Sequence, residues 1–353
     1  MSVLTAVLIA DDLTGSLDSV APFAALGMKC LTAVSLDAIG PALALAPEVL
    51  SVNLGTRELP PDEARRRAVA ATRAVIAAAG PDTIWIKKID SRLKGPIAAE
   101  VSGMSEVLHS ARVLLCPAIP ELGRVVLQGR LRGHGITQDL SVADTVDLDL
   151  PCTVPDATSD ADLDRIGALV QPGTLVAAAK GLAAALARRM CPGRAPVPAS
   201  MQPGAIGFVV GSRDPVTLAQ VAELRAGDGP RFIAAPDGEV GPIGAPGAFM
   251  IQATAGPGAD GPVVASRLAK GVVHRVADLG TLVLAGGETA AAVLDAAGIR
   301  LLQVVGDVLP GLPLCRAVDV PGFPDLITKS GGFGPPDTFL RLWQAAQSPE
   351  GVP

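Results

Sequence analysis

The chain has 353 residues, 49% of them hydrophobic and 18% charged, a balance that excludes a disordered chain and supplies core for about two domains. A formal net charge of −6 and 3% aromatic residues, with no Tyr, argue against the basic footprint and base-stacking platforms of a nucleic-acid binder. The five cysteines have no zinc-ligand spacing and read as reduced thiols of a cytoplasmic protein, and no apolar run is long enough to span a bilayer.

The N-terminus lacks a basic leader region, so its apolar run reads as a first strand and not as a signal peptide. From there, short β-branched runs alternate with Ala-rich helical stretches. Strands are expected over Val3–Ala10, Cys30–Ser35, Val49–Asn53, Thr83–Lys88, Arg112–Cys116 and Thr174–Ala179. Helices are expected over Pro61–Ala79, Pro96–Leu108, Asp160–Val170 and Leu182–Met190, the first opening on a Pro-Asp-Glu triplet that suits a helix N-terminus. The proline-rich stretch Cys191–Gly204 reads as a linker. A second series follows, with strands over Ala205–Val210, Arg231–Ala234, Ala248–Ala253, Thr281–Ala285 and Leu301–Val305, and helices over Pro215–Arg225, Val263–Val276 and Thr289–Ala297. This alternation predicts an α/β protein of two α/β domains with largely parallel sheets, at 1–192 and 204–353, joined by a linker at about 192–204.

Several strand ends carry residues that a core would not choose. The first expected strand runs into Asp11-Asp12-Leu13-Thr14-Gly15, at the carboxyl end where open α/β sheets bind ligands. The bland alternative is a helix cap by Asp12 or Thr14. The strand Thr83–Lys88 runs into Lys87-Lys88-Ile89-Asp90-Ser91-Arg92-Leu93-Lys94, either an anion-binding segment or a solvated charged loop. Arg57, after Asn53-Leu54-Gly55-Thr56, could clamp a carboxylate. In the second half, Gly286-Gly287-Glu288-Thr289 joins a strand to an Ala-rich helix and would offer backbone N–H groups to phosphate; a plain tight turn is the alternative. Thr328-Lys329-Ser330-Gly331-Gly332-Phe333-Gly334-Pro335-Pro336-Asp337 reads as a Gly-rich loop suited to phosphate and its metal. In Gly211-Ser212-Arg213-Asp214-Pro215, Pro215 suits a first helical position and Asp214 its cap, leaving Ser212 for a ligand. A Walker A loop is excluded by the lack of any Gly-Lys dipeptide, and Gly256–Gly261 formally matches GxGxxG but places Pro257 where a donor is needed. His134, in an exposed-looking Arg-Gly-His-Gly loop, is the histidine with some functional promise.

In order, ADDLTGSLD at Ala10–Asp18, GTR at Gly55–Arg57, IKKIDSRLKG at Ile86–Gly95, CPAIPELGR at Cys116–Arg124, VPDATSDADL at Val154–Leu163, GSRDPVTLAQ at Gly211–Gln220, GGETAAAVL at Gly286–Leu294, PGLP at Pro310–Pro313 and TKSGGFGPPD at Thr328–Asp337 resemble the four-carbon acid sugar kinase family over nearly the whole chain. The resemblance implies an N-terminal acid-sugar domain and a C-terminal ATP domain. Phosphorylation of a four-carbon sugar acid such as threonate, erythronate or 3-oxo-tetronate at its terminal hydroxyl would follow, with ATP and Mg2+ as cofactors. It also implies that Asp11, Asp12, Arg57, Lys87, Lys88, Ile89, Asp90 and Ser91 bind the acid, and that Ser212, Gly286, Gly287, Glu288, Thr289, Gly331 and Gly332 bind ATP. Asp12, Asp90 and Asp337 are the candidate proton acceptors. Because side chains alternate along an extended chain, only one of the two acids can face the substrate; Asp12, farther past the strand end, is favoured, and Asp11 could instead brace Lys87 and Lys88. Arg92-Leu93-Lys94-Gly95-Pro96 and Asn53-Leu54-Gly55 depart from the family pattern, and the chain is shorter than typical members, chiefly in the ATP domain. No nucleic-acid or membrane partner is expected, and a homodimer is left open. The competing readings are a non-catalytic sugar-acid or nucleotide sensor of the same fold and a dinucleotide-dependent oxidoreductase.

Overall fold

Leu4–Ala10 forms strand β1 with six of its seven residues buried, as a central parallel strand covered on both faces requires. The computed structural model of the protein describes residues 4–242, 244 and 246–348. Two compact units divide between Val197 and Pro198.

In the first unit β1 is followed by α1 (Leu13–Ala25), β2 (Cys30–Ala33), α2 (Ile39–Ala44), β3 (Val49–Asn53), α3 (Pro61–Ile76), β4 (Ala79–Lys88), α4 (Ile97–Leu108) and β5 (Val113–Cys116). Then come β6 (Arg124–Leu127), β7 (Arg130–Gly133), β8 (Leu140–Ser141), α5 (Val142–Val146), β9 (Cys152–Thr153), α6 (Asp160–Leu169), β10 (Leu175–Ala178) and α7 (Lys180–Met190). The strands order as β2-β3-β1-β4-β10-β5-β9, with every pairing parallel. The chain leaves β1 to one side for β2 and β3 and to the other for β4, so the crevice outside the carboxyl end of β1 is a topological switch point. Helix α3 starts with Pro61 in its first turn beside Asp62 and Glu63, and buries Ala64, Ala68, Ala71, Thr72 and Val75 on one stripe. It packs closely on α4: a Cβ at Gly103 would sit 3.0 Å from the Arg65 carbonyl oxygen, so a larger residue there would have to push α3 back by a few tenths of an ångström. The antiparallel sheet β6-β7-β8 was not expected; its strands of two to four residues are too short for a periodic pattern to show.

The second unit contains β11 (Ala205–Val210), α8 (Pro215–Ala226), β12 (Arg231–Pro236), β13 (Phe249–Thr254), α9 (Gly261–Val272), β14 (Leu279–Ala285), α10 (Gly287–Ala296), β15 (Leu301–Leu309), β16 (Leu312–Ala317), β17 (Asp325–Lys329) and α11 (Thr338–Gln347). Its order is β12-β13-β11-β14-β17-β16-β15, parallel from β12 to β17 and antiparallel at the last two pairings. Two corrections to the sequence reading follow. Leu301–Val305 continues to Leu309 and returns as β16, and Thr328-Lys329 is the end of a buried strand, not loop. With few aromatic residues, this core rests on aliphatic side chains and on Phe208 and Phe339, whose rings lie 5.4 Å apart.

In both units the register aligns the strand ends that matter. Ala10 is opposite Asn53 and Lys88, and Lys88 opposite Ala178. Val210 is opposite Ala285, and Ala285 opposite Lys329. Each row ends one residue before a candidate loop.

Candidate active site

In the first unit, Arg57 joins three carboxylates from two different strand ends. Its Nε–H donates to Asp11 Oδ2, its Nη2 lies 3.0 Å from Asp12 Oδ1, and its Nη1 lies 3.6 Å from Asp90 Oδ2. Asp11 is 1% exposed and Asp12 25%, so the adjacent acids occupy different environments. Asp12 caps α1 by accepting from the Gly15 N–H at 3.0 Å, while its other oxygen accepts from the Thr14 hydroxyl at 2.9 Å. Asp90 folds its own loop by accepting from the Arg92 N–H at 2.9 Å. Burial would raise the Asp11 pKa, but Lys87 and then Arg57 outweigh it and hold the carboxyl below its ordinary value. The same acids raise the Arg57 pKa against the effect of burial.

The two lysines of the segment are not equivalent. Lys87 is fully buried, with its ammonium 3.0 Å from Glu100 Oε2, 3.9 Å from Asp11 Oδ1 and donating to the Lys88 carbonyl at 2.5 Å. Glu100 is itself fully buried, accepts from the Thr56 hydroxyl, and has its pKa raised by burial despite Lys87. Lys87 therefore faces inward and braces Asp11. Lys88 differs: among the described residues no hydrogen bond or ion pair engages its ammonium. That ammonium lies beside the first turn of α1, where a Cβ at Gly15 would come within 2.7 Å of it. Asp18, one turn along α1, is buried and its pKa is raised by burial, with Lys88 and then Lys180 opposing.

The remaining predicted residues divide. Ile89 donates its N–H to the Ala178 carbonyl at 2.9 Å and buries its side chain, so it presents backbone and not side chain to this edge. Ser91 is buried and accepts from Arg124 Nη1 at 2.8 Å. Arg124 also donates its Nε–H to the His134 carbonyl at 2.9 Å, and His134 itself is exposed. Sequence reasoning did not single out Glu100, Asp18, Lys180 or Arg124. Glu100 carried a signal: it falls on the buried stripe Ile97–Val101–Met104 of α4, where an acid has no place unless it is paired.

In the second unit three loops meet. Gly211 and Ser212 donate their N–H groups to the Ala285 carbonyl, both at 3.1 Å, and Gly286 donates to the Lys329 carbonyl at 3.0 Å. Gly286 has φ +115, which only glycine adopts easily, and a Cβ there would lie 3.2 Å from the Ser212 nitrogen. Helix α10 starts immediately after it with no side-chain cap, so no cap takes its first-turn N–H groups at Gly287, Glu288 and Thr289. Asp214 caps α8 through the Val216 N–H at 2.9 Å, with Pro215 in the first turn as expected. A Cβ at Gly331 would touch Ser212 Oγ at 2.9 Å, which places the third loop against the first. Lys329 is fully buried beneath it, donating to Thr217 Oγ1 at 2.9 Å and to the Ser330 and Gly331 carbonyls at 3.1 and 2.9 Å. Burial lowers its pKa to about 8, against the pull of Asp214. Asp337 is exposed at the start of α11.

The GxGxxG loop is already occupied by the protein itself. Asp237 Oδ2 accepts the Gly258 and Ala259 N–H groups at 2.6 and 3.0 Å, and these bonds lower the Asp237 pKa. The donors that a dinucleotide would need are in use. All five cysteines are unpaired thiols, and among the described residues no helix is long and apolar enough to cross a membrane.

Residues 6–145 match a family described as the sugar-binding N-terminal domain, and residues 248–339 one described as the nucleotide-binding C-terminal domain. A D-threonate kinase of Bordetella bronchiseptica is 31% identical, with 96% of each chain covered. The chain belongs to the four-carbon acid sugar kinase family. A 3-oxo-tetronate kinase of Cupriavidus necator is 27% identical over 94% of each chain. The fold is shared with a solved Salmonella typhimurium LT2 protein at a TM-score of 0.76 and 20% identity, covering 99% of this chain and 100% of that one. As a family member the chain is a kinase, with a sugar-binding domain followed by a nucleotide-binding domain.

Proposed function

We propose that this kinase transfers the γ-phosphoryl group of ATP to the terminal hydroxyl of a four-carbon sugar acid such as threonate, erythronate or 3-oxo-tetronate. The observation that carries the substrate class is the Lys88 ammonium, which no hydrogen bond or ion pair engages, beside Arg57 and Lys87, which already hold carboxylates. A cation in that position is completed by an incoming carboxylate. Arg57, shared among Asp11, Asp12 and Asp90, fixes those acids around the bound sugar. Lys87 acts from behind by holding Asp11, and Ser91 is fixed by Arg124. Asp12, the most open of the three acids, is the preferred acceptor of the hydroxyl proton, with Asp90 next. On this reading 1–192 is the acid-sugar domain and 204–353 the ATP domain.

ATP would lie on the second unit's three loops, its phosphates on the first-turn N–H groups of α10 and beside Ser212, Gly331 and Gly332. Among the described residues no three metal-binding side chains converge. The residues present fit a magnesium ion carried on phosphate oxygens, with Asp214 as the nearby carboxylate. Such an ion neutralises the charge that builds up during phosphoryl transfer.

An ADP-release screen over threonate, erythronate, 3-oxo-tetronate and related acids tests the reading. Turnover with one of these acids and none with the matching neutral sugars is the expected result. Binding of acid and ATP without ADP release would make the protein a sensor instead.

A further inference from the structure

Helix α8 turns its buried Thr217 and Gln220, one helical turn apart, toward the third loop of the nucleotide unit. Gln220 is fully buried, and its Nε2 lies 3.0, 3.1 and 2.9 Å from the carbonyls of Phe333, Gly334 and Pro335. Its own Oε1 is buried with no partner, so the amide is oriented wholly for those three acceptors. Thr217 Oγ1 donates to the Gly331 carbonyl at 2.7 Å.

These contacts determine where the loop's donors point. Across a trans peptide, the N–H of one residue points opposite to the carbonyl of the residue before it. With the Gly331 and Phe333 carbonyls drawn to α8, the Gly332 and Gly334 N–H groups are turned away from that helix. Neither has a hydrogen-bond partner among the described residues, whereas the Phe333 N–H is taken by the Ser330 carbonyl at 3.2 Å. Pro335 and Pro336 have no N–H to misplace. The loop thus presents two unused donors at half-buried glycines, Gly332 beside Asp214 and Gly334 beside Thr338.

We propose that Gln220, seconded by Thr217 at Gly331, is a positioning residue that holds the Phe333, Gly334 and Pro335 carbonyls inward so that the Gly332 and Gly334 N–H groups grip a nucleotide phosphate. The proposal rests on the reading of this unit as the ATP site and adds the residues that shape it.

The test uses the full chain and ATP itself. Gln220→Glu keeps shape but sets an acceptor against three carbonyls. Thr217→Val removes one donor and preserves volume. Calorimetric ATP affinity is expected to fall roughly tenfold to a hundredfold in Gln220→Glu and about fivefold to tenfold in Thr217→Val. Sugar-acid KM at saturating ATP should not change. A Gln220 that served the fold alone would change acid KM, kcat and melting temperature together, and that result overturns the proposal. Gly287→Asp, which sets a carboxylate at the start of α10, is the control for the site. If it abolishes ATP binding while Gln220→Glu and Thr217→Val leave affinity intact, the clamp is wrong and the ATP site stands. If all three bind ATP normally, the site reading fails and the clamp with it. Should Gln220→Glu not fold, Gln220→Met, which keeps the volume and removes the donor, takes its place, and unchanged ATP affinity in that variant overturns the clamp.

Discussion

Asp11 and Arg57 form an ion pair in which the acid is buried and the base one-fifth exposed, so the acid depends for solvation on Arg57 together with Lys87 behind it. Removing one member of such a pair strands a charge. Arg57→Ala is therefore expected to destabilise the first unit by about 3 kcal/mol, measured by urea unfolding. Asp11→Asn in the Arg57→Ala background should recover part of that loss. Strictly additive effects in the double variant would show that the pair is not coupled.

Lys88→Met should behave differently. No hydrogen-bonded partner is lost with it, and the buried Asp18 keeps Lys180 nearby, so melting temperature should fall only slightly. Sugar-acid KM is expected to rise roughly tenfold to over a hundredfold, the loss of one charge-assisted contact of about 1.5–3 kcal/mol, with ATP KM unchanged. An unchanged acid KM would remove Lys88 from recognition of the carboxylate.

Asp12→Asn keeps an acceptor for the Gly15 N–H, so α1 should remain capped. In its proposed role as proton acceptor, Asp12 would account for about 10²–10⁴-fold in kcat, and the variant should lose that factor while binding ATP normally. A small fall in kcat with raised acid KM would move the role to Asp90, where Asp90→Asn would then show the larger loss.

The buried Lys329 predicts a stability change on the alkaline side. Its pKa is about 8 when folded and about 10.5 when unfolded, so between those values the unfolded chain holds the extra proton. Stability from this group rises as pH goes from about 8 to about 10.5 and is flat below. The gain is at most about 3 kcal/mol, since each pKa unit corresponds to about 1.4 kcal/mol. Lys329→Met should lack the rise, which pH-resolved urea unfolding of both proteins would show. Parallel pH curves for the two proteins would disprove the assignment.

Much of this arrangement is legible in the sequence, because parallel strands announce themselves as apolar runs and a charged residue directly after one stands out. Asp11, directly after β1, and Lys87 and Lys88, closing β4, are legible for that reason; Arg57, four residues past β3, stands out less. Less legible is which lysine turns inward, since that depends on Glu100 reaching across from α4. Strand β16 is hidden by Pro313, a residue that argues against a strand interior, and β17 by its brevity and terminal lysine. Helix α11 carries a readable stripe at Phe339, Leu342 and Ala345, but its start is obscured by the glycines and prolines before it. The role of Gln220 depends on carbonyl directions, which no sequence pattern encodes.

The carboxylate of Asp237 seated on the Gly258 and Ala259 amides has a consequence for ligand selection. A tethered anion competes with every diffusing one at an effective concentration that free metabolites do not reach. The loop is thereby closed to free anions, whereas the first turn of α10 carries no side-chain cap. Replacing that one aspartate by alanine would free both amides at once, creating an anion trap in a place where the chain now excludes it.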